Sequence, residues 1–567
     1  MLIIAFLWIF ISISFWGWGR MFAAFFGSNA EKQDFSETGY FFMGLAFAGI
    51  LSGIMWLFFP ISPVTSAFIL GGGLGYAFAC LPASIEINFR NPWLLSASLL
   101  FALAILMKSA APTDFYDCGL YYVQTVRWIQ AFPVVPGLAN LHIRFGNASA
   151  WHILGASFDW PFLWNGNFDD LGELVMLWFV VFHGWNALKV HGFERYVSLG
   201  LIGFAIIQSQ SLLSAPSPDL ASGLLGMQTL WQFRKFLRTW NPRQVNQLNT
   251  RGLALFVQSL FLAQVKLSAV PFLIIAVLVL FLVLRERWYK MVLVMAGFGV
   301  LVAGSMISRS YILTGHLLFP VLDGNFSPDW KVIPAEVEFY LDCVRAFARH
   351  NLSVVEMEQG RTYKELSRLS FIEWFPIWAT DRKWNEWVLI LFAVSGWLLL
   401  VRYASSHVRK SFRSHWPLIF FTWLSGMMLL FWFSNAPDVR FGMAILGIGF
   451  SFTFASITEF IRNKNQNWNS QLYAEVCLVV FSVFAVWHFR DFRALKENLI
   501  FPPKYVSVPL ESYSVGKGNQ VFKPKSDPES VYQYDQCWGS QIPCSPNVVP
   551  GLKLRGKSLQ EGFRIAH

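Results

Sequence analysis

The sequence predicts an all-α, polytopic integral membrane protein, and three observations carry that expectation. Hydrophobic residues make up 55% of the 567 positions and charged residues only 14%, well short of the ~25% that a water-facing globular chain uses. The apolar residues fall in about fourteen separate runs. Each is near the ~20 residues needed to cross a bilayer, or shorter where a helix is broken or buried among others. Aromatic residues reach 17%, with 26 Trp and 57 Phe, which suits lipid-facing helices and interfacial belts.

In chain order the expected spans are 2–19, 40–59, 64–82, 93–110, 172–188, 196–213, 220–233, 252–265, 269–284, 291–307, 385–401, 416–433, 441–460 and 471–489. The first run, MLIIAFLWIFISISFWGWGR, has no basic segment before it and no small-residue cleavage site before Gly27. A retained helix is expected there rather than a signal peptide. GGGLG at 71–75 sits inside the third run without the Lys-Ser/Thr ending of a phosphate loop, so it reads as close helix packing.

Alternating the connections puts nineteen Lys and Arg on one side, among them Arg20, Lys32, Arg90, Arg234, Lys235, Arg238, Arg243, Arg409 and Lys410. Only Lys266 and Arg440 fall in the short connections of the other. Cytoplasmic loops keep basic residues during insertion, so the net charge of +10 encodes orientation, and nucleic-acid binding is not expected. Both termini then lie outside, as do the long segments 111–171, 308–384 and 490–567. Connections this long are uncommon unless functional. The expected organisation is a four-helix membrane region (1–110), a first periplasmic loop with interfacial helices (111–171), a central membrane region (172–307), a second periplasmic loop (308–384), a last membrane region (385–489) and a periplasmic extension (490–567). No internal repeat is visible, which weighs against an inverted-repeat transporter.

Cysteine placement agrees with an oxidising outer face. Cys80 and Cys477 fall in or beside membrane helices, whereas Cys118, Cys343, Cys537 and Cys544 fall in outer segments. Cys537 with Cys544, bracketing WGSQIP, is the favoured disulfide; Cys118 with Cys343 is the second pairing, and buried thiols are the alternative.

The stretch TDFYDCGLYYVQTVRWIQ follows the fourth run. Asp114 and Asp117 precede Tyr121, Tyr122, Val126 and Ile129 at helical spacing, so either acid is a candidate base or an ordinary N-cap. His142 and Arg144 share that loop and can orient an acceptor or touch phosphate. Lys266, in LFLAQVKLSAVPF, stands between two apolar half-helices with Ser268 beside it, and an ionisable residue at such a depth is expensive and usually functional. Arg309 and His316 open the second long loop, Arg309 at head-group level as a phosphate contact or an interfacial anchor. Asp438 and Arg440 in NAPDVRFG either serve the site or pair to shape a turn. Asp219 in SAPSPDL is a helix cap, a metal ligand or a sugar contact. No zinc spacing and no nucleophile elbow occurs; an oxygen-rich divalent site would leave little trace in spacing.

An acid in the first large outer loop, opening an interfacial helix with an aromatic a few positions on, resembles the membrane-embedded GT-C glycosyltransferases. YDCGLYYVQTVRWIQ and VVPGLANLHIRFGNASAW are also similar to a group of bacterial polytopic proteins associated with that fold, with further patches at SAPSPDL, QVKLS, LTGHLLFPVLDGNFSPDWKV, APDVRFG and CWGSQIPCSP. The resemblance implies a GT-C-like fold in the bacterial inner membrane with its active side periplasmic. It also implies transfer from a polyprenyl-phosphate sugar to a periplasmic glycan, lipid or protein acceptor, with Asp117, or Asp114, as catalytic base and no cofactor. Many members place the catalytic loop after the first helix; here it follows the fourth, and the acids form D-x-x-D. Two rivals remain: an O-antigen-type polymerase or ligase, which needs no loop carboxylate, and a transporter or flippase for lipid-linked sugars.

Overall fold

Runs of apolar residues satisfy every backbone group internally when they coil, which is what a bilayer demands. In the computed structural model the chain is mostly helical. The structure describes residues 1–26, 37–80, 92–160, 164, 170–239, 245–324, 326–350, 362–408, 412–465, 468–516, 518–525 and 536–566. Lys32, Arg90, Arg243, Arg409 and Lys410, all assigned above to the basic side, lie outside the described residues.

The first four helices are α1 (Leu2–Phe26), α2 (Glu37–Met55), α3 (Pro63–Ala79) and α4 (Pro92–Ser109). A π-helical turn, Cys118–Tyr122, leads into α5 (Val123–Ala131), and the short α6 (Ala150–Ala156) follows. The central region comprises α7 (Leu171–Lys189), α8 (Phe193–Ser209), α9 (Pro218–Thr239), α10 (Val245–Val265), a 3-10 turn (Leu267–Phe272) running into α11 (Leu273–Arg285), and α12 (Tyr289–Thr314). Three helices occupy the second long connection: α13 (Pro334–Arg349), α14 (Tyr363–Arg368) and α15 (Phe371–Asp381). The last membrane helices are α16 (Trp384–Val408), α17 (Phe412–Asn435), α18 (Met443–Lys464) and α19 (Ser470–Phe489), followed by the short α20 (Phe492–Glu497).

Each of the fourteen expected spans falls on a helix, yet only ten described helices are long and apolar enough to cross a membrane by themselves. The other four are α3, α8, α9 and α10. Three of these, α8, α9 and α10, are buried along most of their length among the remaining helices, so they need no lipid-facing apolar coat and can carry polar residues such as Gln228, Ser259 and Gln264. The chain is a multi-pass membrane protein. The GGGLG run packs as expected: Gly73 lies against Ser14 and Trp18 of α1, where a methyl group would have no room.

The expectation of purely helical structure needs one addition. The C-terminal extension holds two antiparallel hairpins, β1 (Leu510–Gly516) with β2 (Asn519–Pro524), and β3 (Leu552–Leu554) with β4 (Phe563–Ile565). The three long segments expected as separate regions join in one cap. Phe563 N–H donates to Pro136 O at 3.0 Å, Gly137 N–H to Ile312 O at 2.8 Å, and Asn140 Nδ2 to Trp330 O at 2.8 Å. Arg555 pairs with Asp329, Nε to Oδ2 3.0 Å.

Cys537 and Cys544 are disulfide-bonded, as favoured. Cys118 and Cys343 are not: Cys118 is buried in the π-helical turn, where its sulfur accepts from Thr113 Oγ1 at 3.6 Å, and Cys343 sits on α13. Burial pushes the Cys343 thiol up to about 11, which keeps it protonated and unreactive.

Candidate functional site

Asp117 directly precedes the π-helical turn, the position of an N-cap, but its side chain makes no capping bond. Its carboxylate instead faces two arginines from distant elements. Arg144 Nη1 lies 3.1 Å from Oδ1 and Arg440 Nη1 lies 3.8 Å from Oδ2. Asp117 is mostly shielded, with 13% of its side chain exposed. Asp114, three residues earlier, is exposed and precedes the helical residues, so of the D-x-x-D pair Asp117 is the acid held in the cluster.

Arg440 belongs to the turn between α17 and α18. Asp438 shapes that turn by accepting from Arg440 N–H at 2.9 Å, and its other oxygen lies 3.7 Å from Arg440 Nε. Arg440 thus stands between two aspartates, shaping the turn and facing the loop acid at once. The Phe441 ring carries cations on either hand, the Arg440 guanidinium at 4.8 Å and Lys266 Nζ at 3.7 Å from its centroid. Lys266 occupies an extended residue where α10 breaks before the 3-10 turn. It pairs with Asp219, a buried residue in the first turn of α9, and it feels the charges of Asp117, Asp438, Arg144 and Arg440.

Three cations and three carboxylates therefore converge at the capped end of the bundle. Burial opposes the charge on Arg144 and Arg440, but the neighbouring aspartates overcome it and hold both above the ordinary arginine value. The floor is aromatic. Tyr121 lies beneath the Arg144 guanidinium at 5.2 Å and packs on Tyr122 at 4.6 Å, while Tyr122 packs on His152 at 4.8 Å. Tyr340 of α13 donates to Asn147 Oδ1 at 3.1 Å, within reach of the Asp117 and Arg144 charges. Sequence reasoning missed His152, Tyr340 and Phe441 as site residues, because their roles exist only once the distant loops meet.

Other expected site residues fall elsewhere. His142 is half-buried against Tyr121, ring centroids 6.2 Å apart, and desolvation, with the Arg144 charge adding, pushes it down to about 3. Its imidazole is therefore neutral near pH 7. Arg309 is turned into the bundle: it is 1% exposed, hydrogen-bonds Gln264 Oε1 at 2.5 Å and packs on Gly53, and it makes no ion pair with the aspartates of the cluster among the described residues. His316 is buried, with Nε2 3.1 Å from Val332 O and Nδ1 3.8 Å from Asp323, so it clasps the loop after α12. Ser268 is half-buried in the turn beyond Lys266, without a hydrogen bond to the cluster among the described residues. No group of three metal-ligating side chains occurs among the described residues.

The C-terminal extension is bonded to the turn that follows Asp117. Trp538 N–H donates to Gly119 O at 2.9 Å, and Gln124 Nε2 donates to Trp538 O at 2.9 Å and to Ser540 O at 2.8 Å. A Cβ on Gly119 would lie 2.5 Å from the Trp538 ring, so only glycine permits this approach. The disulfide loop is in this way buttoned onto the turn that presents Asp117.

Fold and site define a class: a helical multi-pass membrane protein with a shielded cluster of opposed charges beneath a cap of loops. The chain belongs to the DUF8201 family, described as a domain of unknown function, whose model matches residues 1–447. That span includes all six charged residues of the cluster. No curated protein and no solved structure matches the chain.

Proposed function

We propose that the chain is an inverting membrane glycosyltransferase acting on a polyprenyl-phosphate-linked sugar at the periplasmic face of the bacterial inner membrane. The observation that carries the reading is the Asp117 carboxylate, excused from capping its own helix and aimed at Arg144 and Arg440. The excess of basic residues at the opposite ends of the helices supports the sidedness, and the likeness to GT-C enzymes supports the chemistry.

In the proposed step Asp117 takes the proton of the acceptor hydroxyl as its oxygen attacks the anomeric carbon. The carbon–oxygen bond to phosphate breaks, its electron pair stays on the departing polyprenyl phosphate, and the configuration inverts. Arg440 and Lys266 meet the phosphate charge, where fixed cations in a water-poor site act most strongly. Tyr121, Tyr122 and Tyr340 supply faces on which a sugar ring can lie. Asp219 holds Lys266 in place.

The test is transfer by the purified protein from a set of polyprenyl-phosphate monosaccharides to an envelope acceptor fraction, read as release of polyprenyl phosphate. Wild type should release it and Asp117→Asn should fall by about 10²–10⁴-fold. The two guanidiniums flanking Asp117 also favour a second reading, a polymerase or ligase that grips pyrophosphate without a base. In that case Asp117→Asn retains activity and Arg440→Ala loses it.

A further inference from the structure

The cluster just described leaves the opposite end of the bundle unused, and a second charged cavity lies there. Its lining residues are Asn186 and Val190 at the end of α7, Glu194 at the start of α8, and Trp231, Arg234, Lys235 and Arg238 in the last turns of α9, around a volume of about 270 Å³. From Asp219 to Arg234 and Arg238 is fifteen to nineteen residues of one helix. At ~1.5 Å per residue the cavity is about 22–28 Å from the Lys266–Asp219 pair, most of a membrane thickness away.

The cavity is cationic by construction. Its lining carries three positive side chains against one carboxylate. Glu194 takes Arg234 as a bidentate partner, Nη1 to Oε2 2.9 Å and Nη2 to Oε1 2.6 Å, and also pairs with Arg238. Arg234 is further held over the rings of Phe452 and Phe193, at 5.1 and 5.9 Å. The Arg234 guanidinium is therefore fixed before any ligand arrives, which lowers the cost of binding one, while Arg238, 59% exposed, stands at the mouth. The remaining wall is the Asn186 amide, which donates to Ser198 Oγ at 2.6 Å, and an apolar part: the Trp231 ring, with Lys235 Nζ 4.8 Å from its centroid, Val190, and the aliphatic stems of the cations.

We propose that this cavity binds one anionic phospholipid of the leaflet opposite the Asp117 cluster. The phosphodiester sits against Lys235, Arg238 and Arg234, and its glycerol lies on Trp231 and Val190. Free phosphate would use the charges but leave the apolar wall bare, whereas a lipid uses both. The volume is below the ~300–1,000 Å³ of pockets that enclose whole drug-sized ligands, and it accommodates a headgroup whose chains remain in the bilayer. Basic cavities between membrane helices on the cytoplasmic side suit such headgroups. The bound lipid would tie α7, α8 and α9 together. This assignment stands whether or not the chain transfers sugar.

The test is lipid retention by the full-length protein in detergent, measured by native mass spectrometry with phosphatidylglycerol or phosphatidylcholine added in turn. Wild type should hold one phosphatidylglycerol in preference to phosphatidylcholine. Lys235→Ala/Arg238→Ala should weaken that binding by about thirtyfold, from ~1 kcal/mol for each lost cation. Lys290→Ala, an exposed cation at the same end of the bundle, should change nothing, and Lys235→Arg should retain the lipid. Equal retention of the two lipids by wild type would overturn the proposal even if the double variant does not fold. Undiminished binding by a folded double variant would do so too, as would displacement of the lipid by inorganic phosphate at comparable concentration.

Discussion

At the scale of single residues, the site is a balance of paired charges, and each pair makes a different prediction. Lys266 and Asp219 are mutually dependent, with Asp219 3% exposed. Lys266→Met leaves a buried carboxylate unpaired and should cost about 3–5 kcal/mol of stability. Lys266→Met/Asp219→Leu should recover most of that loss in a thermal-unfolding assay, while polyprenyl phosphate release stays absent. His142 and His152 are both pushed down to about 3 by burial. Above pH ~6.5 folded and unfolded chains alike carry neutral imidazoles. As the pH falls from 6.5 toward 3 only the unfolded chain takes up protons, so stability should drop by up to about 1.4 kcal/mol per pH unit for each histidine. Thermal midpoints measured from pH 7 to 4.5 should fall less steeply in His142→Gln; parallel curves would contradict this. Asp117 and Lys266 could be singled out in the sequence because an acid opening a loop helix is either a cap or free to face other groups, and a lysine between apolar half-helices is costly unless paired. Arg309 and His316 misled because a residue at the end of an apolar run can turn into the bundle or clasp a loop, which linear position does not reveal.

At the scale of elements, the decisive contact is between the disulfide loop and the π-helical turn. Gly119→Ala would drive a methyl into Trp538 and should cost about 1–3 kcal/mol, the range for overpacking a tight contact. The expected readout is faster proteolytic clipping in the extension together with reduced transfer, and unchanged clipping would contradict the role given to this contact. Removing the disulfide by Cys537→Ser should weaken the same contact. The helices themselves were legible, since each expected span falls on a helix. What the pattern could not show is that α8, α9 and α10 are sheathed by neighbours, because hydropathy reports composition rather than surroundings. The hairpins of the extension were invisible for a related reason: they are three to seven residues long, too short for alternation to stand out.

At the scale of the whole molecule, distant segments meet to make one site: a loop from the first third, the break after α10, the turn before α18 and the C-terminal extension. Such an arrangement presents fixed charges at one membrane surface under a roof while leaving the opposite surface to its basic cavity. The account requires that a lipid-borne phosphate reach the roofed end and no other. The most direct measurement is a cryo-EM structure of the Asp117→Asn protein with a polyprenyl-phosphate sugar bound. The account predicts phosphate density in hydrogen-bond reach of Arg440 and Lys266, with the sugar against Tyr121 and its anomeric carbon facing residue 117. Phosphate lodged only among Arg234, Lys235 and Arg238, with the roofed cluster empty at saturating lipid, would contradict it.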